Sequence, residues 1–223
     1  MQSTTISRRK VLACGSAAIA STILAGGIVA PRNAAAAETV KDVLGRITKA
    51  RADLRTLVAK FTQTRKISLL DSEVKSKGEL SLVRPDRLRW ELFPPDAVTY
   101  WVGPEGLAVR TKDGRVSRAP KQAGKFGAVL GDLMTIMGDD PSKLEARYTI
   151  DVKKSDGPIE LVLTPKVDEL KKVVSRIQLT TQKEVWALAR VVVEEEGGDA
   201  STIDFSVNDR NVTIDPAKMK PPA

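Results

Sequence analysis

The sequence predicts a mainly β fold: about eleven antiparallel strands in one sheet that curls into a barrel or part barrel, with helices covering its concave side. Two observations carry most of this. Beyond Phe61, apolar and polar residues alternate with a period of two, and clusters of Pro, Gly and Asp interrupt the alternation at the spacing of a meander. Apolar residues at helical spacing occur in only two places, around residues 40–61 and 126–137, so helices are too few to cover both faces of so large a sheet.

The first 37 residues stand apart. Ser7-Arg8-Arg9-Lys10-Val11-Leu12 sets paired arginines ahead of an apolar run from Val11 to Ala30, and Ala35-Ala36-Ala37 offers the small residues where a signal peptidase cuts. This reads as a twin-arginine-type export signal, cleaved after about Ala37, with residues 38–223 forming a single domain. The run is rich in Ala, Gly, Ser and Thr, a poor composition for a bilayer-spanning helix. Cys14 follows Lys10 too closely to serve as a lipoprotein-processing cysteine.

Loss of residues 1–37 removes Arg8, Arg9, Lys10 and Arg32 and no acidic residue, lowering the formal charge from +8 to +4. That modest excess suits an ordinary soluble surface and excludes the concentrated basic stripe of a nucleic-acid binder. The chain has no His, and its one Cys lies in the signal. Ser-His-Asp and Cys-His catalysis, a typical zinc site and a disulfide staple are thereby excluded. No spacing marks a Ser-Lys pair or two catalytic carboxylates, so an enzyme is not expected, and no cofactor is.

Thr39-Val40-Lys41-Asp42 forms a variant capping box at the start of the domain. Val40, Val43, Leu44, Ile47, Leu54, Leu57, Val58 and Phe61 then fall on one face, predicting one long amphipathic helix that reaches Phe61. Strands follow, with Gly78, Leu80 and Leu82 alternating against Lys77, Glu79 and Ser81, and Leu88, Trp90 and Leu92 against Arg87, Arg89 and Glu91.

Turns are expected at Leu70-Asp71-Ser72, Arg84-Pro85-Asp86, Pro94-Pro95-Asp96, Gly103-Pro104-Glu105-Gly106 and Lys112-Asp113-Gly114. Phe126, Val129, Leu130, Leu133, Met134 and Met137 predict a central helix, stopped at Gly138-Asp139-Asp140-Pro141 and followed by a short helical turn to Arg147. Later strands are expected at residues 148–152, 159–164, 173–180, 186–193, 202–207 and 212–214.

These residues resemble the periplasmic outer-membrane lipoprotein carrier family of the LolA type. The resemblance rests on Phe61-Thr62-Gln63, then Gly78-Glu79-Leu80-Ser81-Leu82-Val83-Arg84-Pro85 running into Leu88-Arg89-Trp90, and a proline turn. Leu163-Thr164-Pro165-Lys166 and the stretch from Gly198 to Phe205, with Asn211, Ile214 and Pro221-Pro222, continue the pattern in order.

The resemblance implies an unclosed antiparallel barrel with a helical lid over a hydrophobic cavity. It implies a load of acylated lipoproteins, an inner-membrane lipoprotein-releasing transporter as donor and an outer-membrane acceptor, with the carrier itself a monomer. It also makes Arg84 the lid latch, since its Arg-Pro context matches the family's arginine and its five donors can hold several helix-end carbonyls. From the residues alone, Arg84 reads as a solvated arginine entering a turn.

Leu80, Leu82, Leu88, Trp90, Leu92 and Tyr100 are expected on the concave side, faced by Leu130, Leu133, Met134 and Met137 from the lid, where methionine offers an adaptable surface. Each also reads as ordinary core. Asp139-Asp140 and Glu194-Glu195-Glu196 lack the spaced loop of a calcium site and read as solvated surface, as do Lys153-Lys154 and Lys171-Lys172. The basic stretch from Lys112 to Lys125 leaves open a carrier or sensor of another lipid or of a glycolipid on the same fold.

Overall fold

The computed structural model describes residues 38–70, 72–118, 124–138 and 141–222. Residues 1–37, expected to form the export signal, Asp71, Asp139-Asp140 and part of the basic Lys112–Lys125 stretch lie outside the described residues, as does the Phe126 side chain.

Helix α1 spans Val40–Ala50 and is opened by the capping box: the Asp42 amide donates to Thr39 Oγ1 at 3.2 Å and the Thr39 amide to Asp42 Oδ2 at 3.2 Å. Val43, Leu44 and Ile47 are its buried face. The helix stops well short of Phe61, which corrects the long helix expected from the sequence. Thr56–Ile67 is instead a strand, β1, and Leu54 sits in the connection. Leu57, Ala59, Phe61 and Gln63 alternate toward the interior, so the pattern there has period two. Pairing with strands on both sides buries more backbone and side chain than one further helical turn could.

The remaining strands are β2 (Ser72–Val83), β3 (Arg87–Leu92), β4 (Val98–Gly103), β5 (Gly106–Arg110) and β6 (Val116–Ser117). After helix α2 (Gly124–Met137) and a 3₁₀ turn (Pro141–Ala146) come β7 (Tyr148–Lys154), β8 (Glu160–Pro165), one helical turn α3 (Asp168–Lys171), β9 (Val174–Thr181), β10 (Leu188–Glu195) and β11 (Ala200–Arg210). All pairings are antiparallel, and the strands run β6-β5-β4-β3-β2-β1-β11-β10-β9-β8-β7. The two ends, β6 and β7, do not pair with each other, so the sheet of eleven described strands is an unclosed barrel.

Register shifts between Lys60 and Phe61, between Leu188 and Arg190, and between Val152 and Lys154 mark irregularities of the kind that bend strands and deepen the curl. The last strand expected from the sequence, Val212–Ile214, does not form. Chain pairing ends at Arg210 because Asn211 turns with φ +58° and caps the α1–β1 connection, accepting from the Arg55 amide at 2.8 Å and donating to the Asp53 carbonyl at 3.0 Å.

Beyond it, a 3₁₀ turn at Pro216–Met219 lies on the convex face, where Trp101 Nε1 donates to the Lys218 carbonyl at 2.9 Å and Met219 is buried.

Candidate functional site: a helix-filled concavity

The concave face of β1–β5 is built from cross-strand rows. Leu82 faces Leu88, Leu80 faces Trp90 and Gly78 faces Leu92; Trp90 in turn faces Tyr100, and Leu57, Ala59 and Phe61 continue the rows on β1. At the centre lie three aromatic rings. Phe61 and Trp90 are 4.0 Å apart, and Phe205 meets Phe61 edge-on at 6.0 Å and Trp90 at 6.3 Å. Gly78 permits this packing, because a Cβ there would fall 2.4 Å from the Phe61 ring and 2.2 Å from the Glu91 carbonyl oxygen.

Helix α2 fills the concavity. Val129, Leu130, Leu133, Met134, Ile136 and Met137 are all buried, which places apolar side chains around most of the helix rather than along one stripe. They form one hydrophobic cluster with Leu80, Leu82, Leu88 and Trp90, against which the partly buried Leu92 and Tyr100 also pack. All ten apolar residues singled out in the sequence therefore meet. Between α1, α2 and the far wall of the barrel, a space lined mostly by apolar residues such as Leu44, Ile136, Leu163 and Leu179, together with Arg51 and Thr181, measures about 10 Å³, at the lower limit for a single water. A wider cleft of about 370 Å³ opens outside, where Met134, Thr135 and Lys143 meet Pro85, Gly103 and Pro104.

Polar clasps hold the helices in place. Arg84 Nη1 donates to the carbonyls of Arg51, at 2.5 Å, and Leu54, at 2.9 Å, so its guanidinium grips the end of α1 and the turn after it. Arg51, the residue capping α1, is only 2 % exposed. Its Nε donates to the Trp186 carbonyl at 2.8 Å and its Nη1 to the Ile136 carbonyl in the last turn of α2. Burial, followed by the positive charge of Arg84, lowers the Arg51 pKa to about 10.

A second clasp lies midway along α2. Asp132, 4 % exposed, accepts from the Tyr148 hydroxyl at 2.5 Å and from Arg147 Nε at 2.8 Å. Burial first and the Asp132 carboxylate second push the Tyr148 pKa well above the usual tyrosine range.

Neither Arg51 nor Asp132 was singled out in the sequence, although both carry a signal. Arg51 continues the apolar stripe of α1 four residues after Ile47, and Asp132 interrupts an otherwise apolar helix between Leu130 and Leu133. A charge on an apolar face is a charge with a specific partner. Among the described residues no group of three or more Asp, Glu, His or Cys is placed to hold a metal ion, and no helix is long and apolar enough to cross a membrane.

A search by sequence among curated proteins returns no match. Among solved structures, a DUF1329 family protein from Desulfovibrio piger aligns with TM-score 0.49 and 13% identity, covering 80% of this chain and 95% of its own. A LolA superfamily protein from Nitrosomonas europaea aligns with TM-score 0.46 and 9% identity, covering 82% and 98%. A putative outer membrane lipoprotein-sorting protein domain from Vibrio parahaemolyticus aligns with TM-score 0.45 and 9% identity, covering 79% and 95%. Family membership rests instead on sequence: the model of the family described as outer membrane lipoprotein carrier protein LolA matches residues 52–221, spanning every strand from β1 to β11, and the chain belongs to that family.

Proposed function

We propose that this chain is a periplasmic carrier that takes acyl chains of lipoproteins against the concave face of β1–β5 and delivers them from the inner to the outer membrane. In this reading residues 1–37 direct export and are cleaved, an inner-membrane lipoprotein-releasing transporter loads the carrier, and an outer-membrane acceptor empties it. The observation that supports it is α2: a helix apolar on nearly all sides, seated inside an open-edged sheet, and tied down by Arg51 at its end and by Arg147 and Tyr148 at its middle.

Such a plug makes loading reversible. Each methylene shielded from water is worth about 0.8 kcal/mol, so an anchor in the aqueous periplasm needs a continuous apolar wall. If acyl chains take the place of α2, the apolar surfaces of wall and chain stay covered, and the transfer terms largely cancel. What remains to be broken is a handful of hydrogen bonds, each worth about 0.5–3 kcal/mol net. Arg84, by gripping the end of α1 beside Arg51, sets how readily that opening occurs.

The test is release from spheroplasts. With the purified exported protein added, newly made lipoprotein is expected to leave the membrane in a soluble one-to-one complex. The Arg84→Leu protein is expected to form the complex but to transfer it poorly to acceptor membranes. Protein that gathers lipid or glycolipid in this assay and never lipoprotein would reject lipoprotein delivery in favour of carrying or sensing another lipid.

A further inference from the structure

Along one face of β1 the side chains change character in order: buried Leu57, Ala59 and Phe61 are apolar, buried Gln63 is a carboxamide, and exposed Arg65 is charged. Arg65 stands at the rim with Glu195 at 3.6 Å and Asp199 at 3.5 Å, and its charge opposes the upward push that burial gives the Tyr100 pKa, which puts Arg65 within electrostatic reach of that phenol on β4. Gln63 lies between the aromatic trio and this charged rim. Its neighbours across the strands are Ser76 and Ile203. It is 9 % exposed, and its Oε1 is buried with no hydrogen-bond partner.

A buried carbonyl oxygen left unmatched costs free energy that an apolar residue of similar shape would not. The sequence of environments along β1 is also that of an acylated molecule read from tail to head: hydrocarbon, then the polar linkage, then a charged or hydrated group. We propose that Gln63 is the ligand-linkage site, its Oε1 accepting a hydrogen bond from the N–H or O–H that adjoins the acyl chain while the chain itself runs inward along Phe61, Trp90 and Phe205. This rests on the carrier reading above and adds to it the depth and polarity at which the load is gripped. Arg65, Glu195 and Asp199 then face whatever follows the linkage.

The experiment uses the exported protein stripped of lipid and three probes of equal chain length: N-methylhexadecanamide, which offers an N–H; 1-monohexadecanoylglycerol, which offers hydroxyls; and methyl hexadecanoate, which offers no donor. Wild-type protein is expected to bind at least one donor probe about five- to tenfold more tightly than the methyl ester. Gln63→Leu is expected to bring that ratio to about one, with the methyl ester bound no less tightly than before. In the wild type, the side-chain amide resonances of Gln63 are expected to shift with donor probes and to stay put with the methyl ester, a reading that does not depend on how the variant folds.

Tighter binding of the amide would identify an N-acylated protein terminus as the source of the donor, and tighter binding of the glycerol ester a glycerolipid or glycolipid; either supports the site. An unchanged ratio in Gln63→Leu together with unmoved Gln63 resonances would overturn it while leaving the carrier reading intact. Failure of all three probes to bind either protein would overturn the carrier reading and this site with it.

Discussion

Arg84 and Arg51 are linked head to tail: Arg84 Nη1 donates to the Arg51 carbonyl at 2.5 Å, and the Arg51 guanidinium reaches on to the Ile136 carbonyl at the end of α2. One arginine therefore holds the main chain of the other, and the second holds the helix that fills the barrel. The two like charges stand close because both guanidinium groups donate to main-chain carbonyls, and the carbonyls at a helix end are short of donors in any case.

Replacing Arg84 by Leu removes the donor to both Arg51 and Leu54. The expected loss is about 1–3 kcal/mol of unfolding free energy, read as a lower denaturation midpoint at unchanged slope. A midpoint equal to that of the wild type would mean that the two hydrogen bonds contribute nothing net.

Arg51 makes a sharper comparison. Lys at this position keeps the buried charge but cannot fork to Trp186 and Ile136 together, whereas Met removes the charge and keeps much of the apolar stem. Both variants are expected to lose about 2 kcal/mol or more, with Lys no better tolerated than Met. A Lys variant as stable as wild type would show that charge alone suffices there.

The chain has two tyrosines, and burial raises the pKa of both above the ordinary value of 10.0, with the Asp132 carboxylate adding to the effect at Tyr148. A group with a raised folded-state pKa contributes stability that is full below its unfolded pKa and is lost as the pH climbs toward the folded one. In absorbance at 295 nm, the tyrosines of native protein are expected to titrate at higher pH than those of denatured protein, and stability is expected to fall above about pH 10. Titration of both tyrosines near 10 in the native protein would contradict the burial of Tyr148 and its bond to Asp132.

Gly78 and Gly45 form a contrasting pair. Gly78→Ala puts a methyl into the Phe61 ring and the Glu91 carbonyl, and is expected to cost about 1–3 kcal/mol or more. Gly45→Ala, inside α1 with nothing within 4 Å of the new Cβ, is expected to stabilise by up to about 1 kcal/mol. Thermal or chemical denaturation reads both, and equal effects would contradict the packing of the aromatic trio.

The sequence allowed β3 and the second half of β2 to be read almost residue by residue, because Leu80, Leu82, Leu88 and Trp90 alternate cleanly, whereas β4 and β5 were marked only by the Pro- and Gly-bearing turns around them. It misled at β1, where Leu54, Leu57, Val58 and Phe61 satisfy a helical spacing although the strand they belong to pairs with β2 and β11. Local periodicity carries no information on those two partners. The apolar members of the site were legible as a class, since burial follows from period. The clasps were not: Arg84 stood out only through its Arg-Pro context, and Arg51 and Asp132 depend on where distant carbonyls and the Tyr148 hydroxyl arrive in three dimensions. Gln63 was visible as part of a motif, but its buried, unmatched oxygen is a property of the fold.

Native mass spectrometry of protein purified from the periplasm without detergent, followed by organic extraction, tests the central claim most directly. Acyl lipid or acylated lipoprotein bound in one-to-one ratio is the predicted result. A bare polypeptide that also refuses added acyl lipid and apolar dye would mean that α2 is a permanent part of the core and that the barrel carries no load.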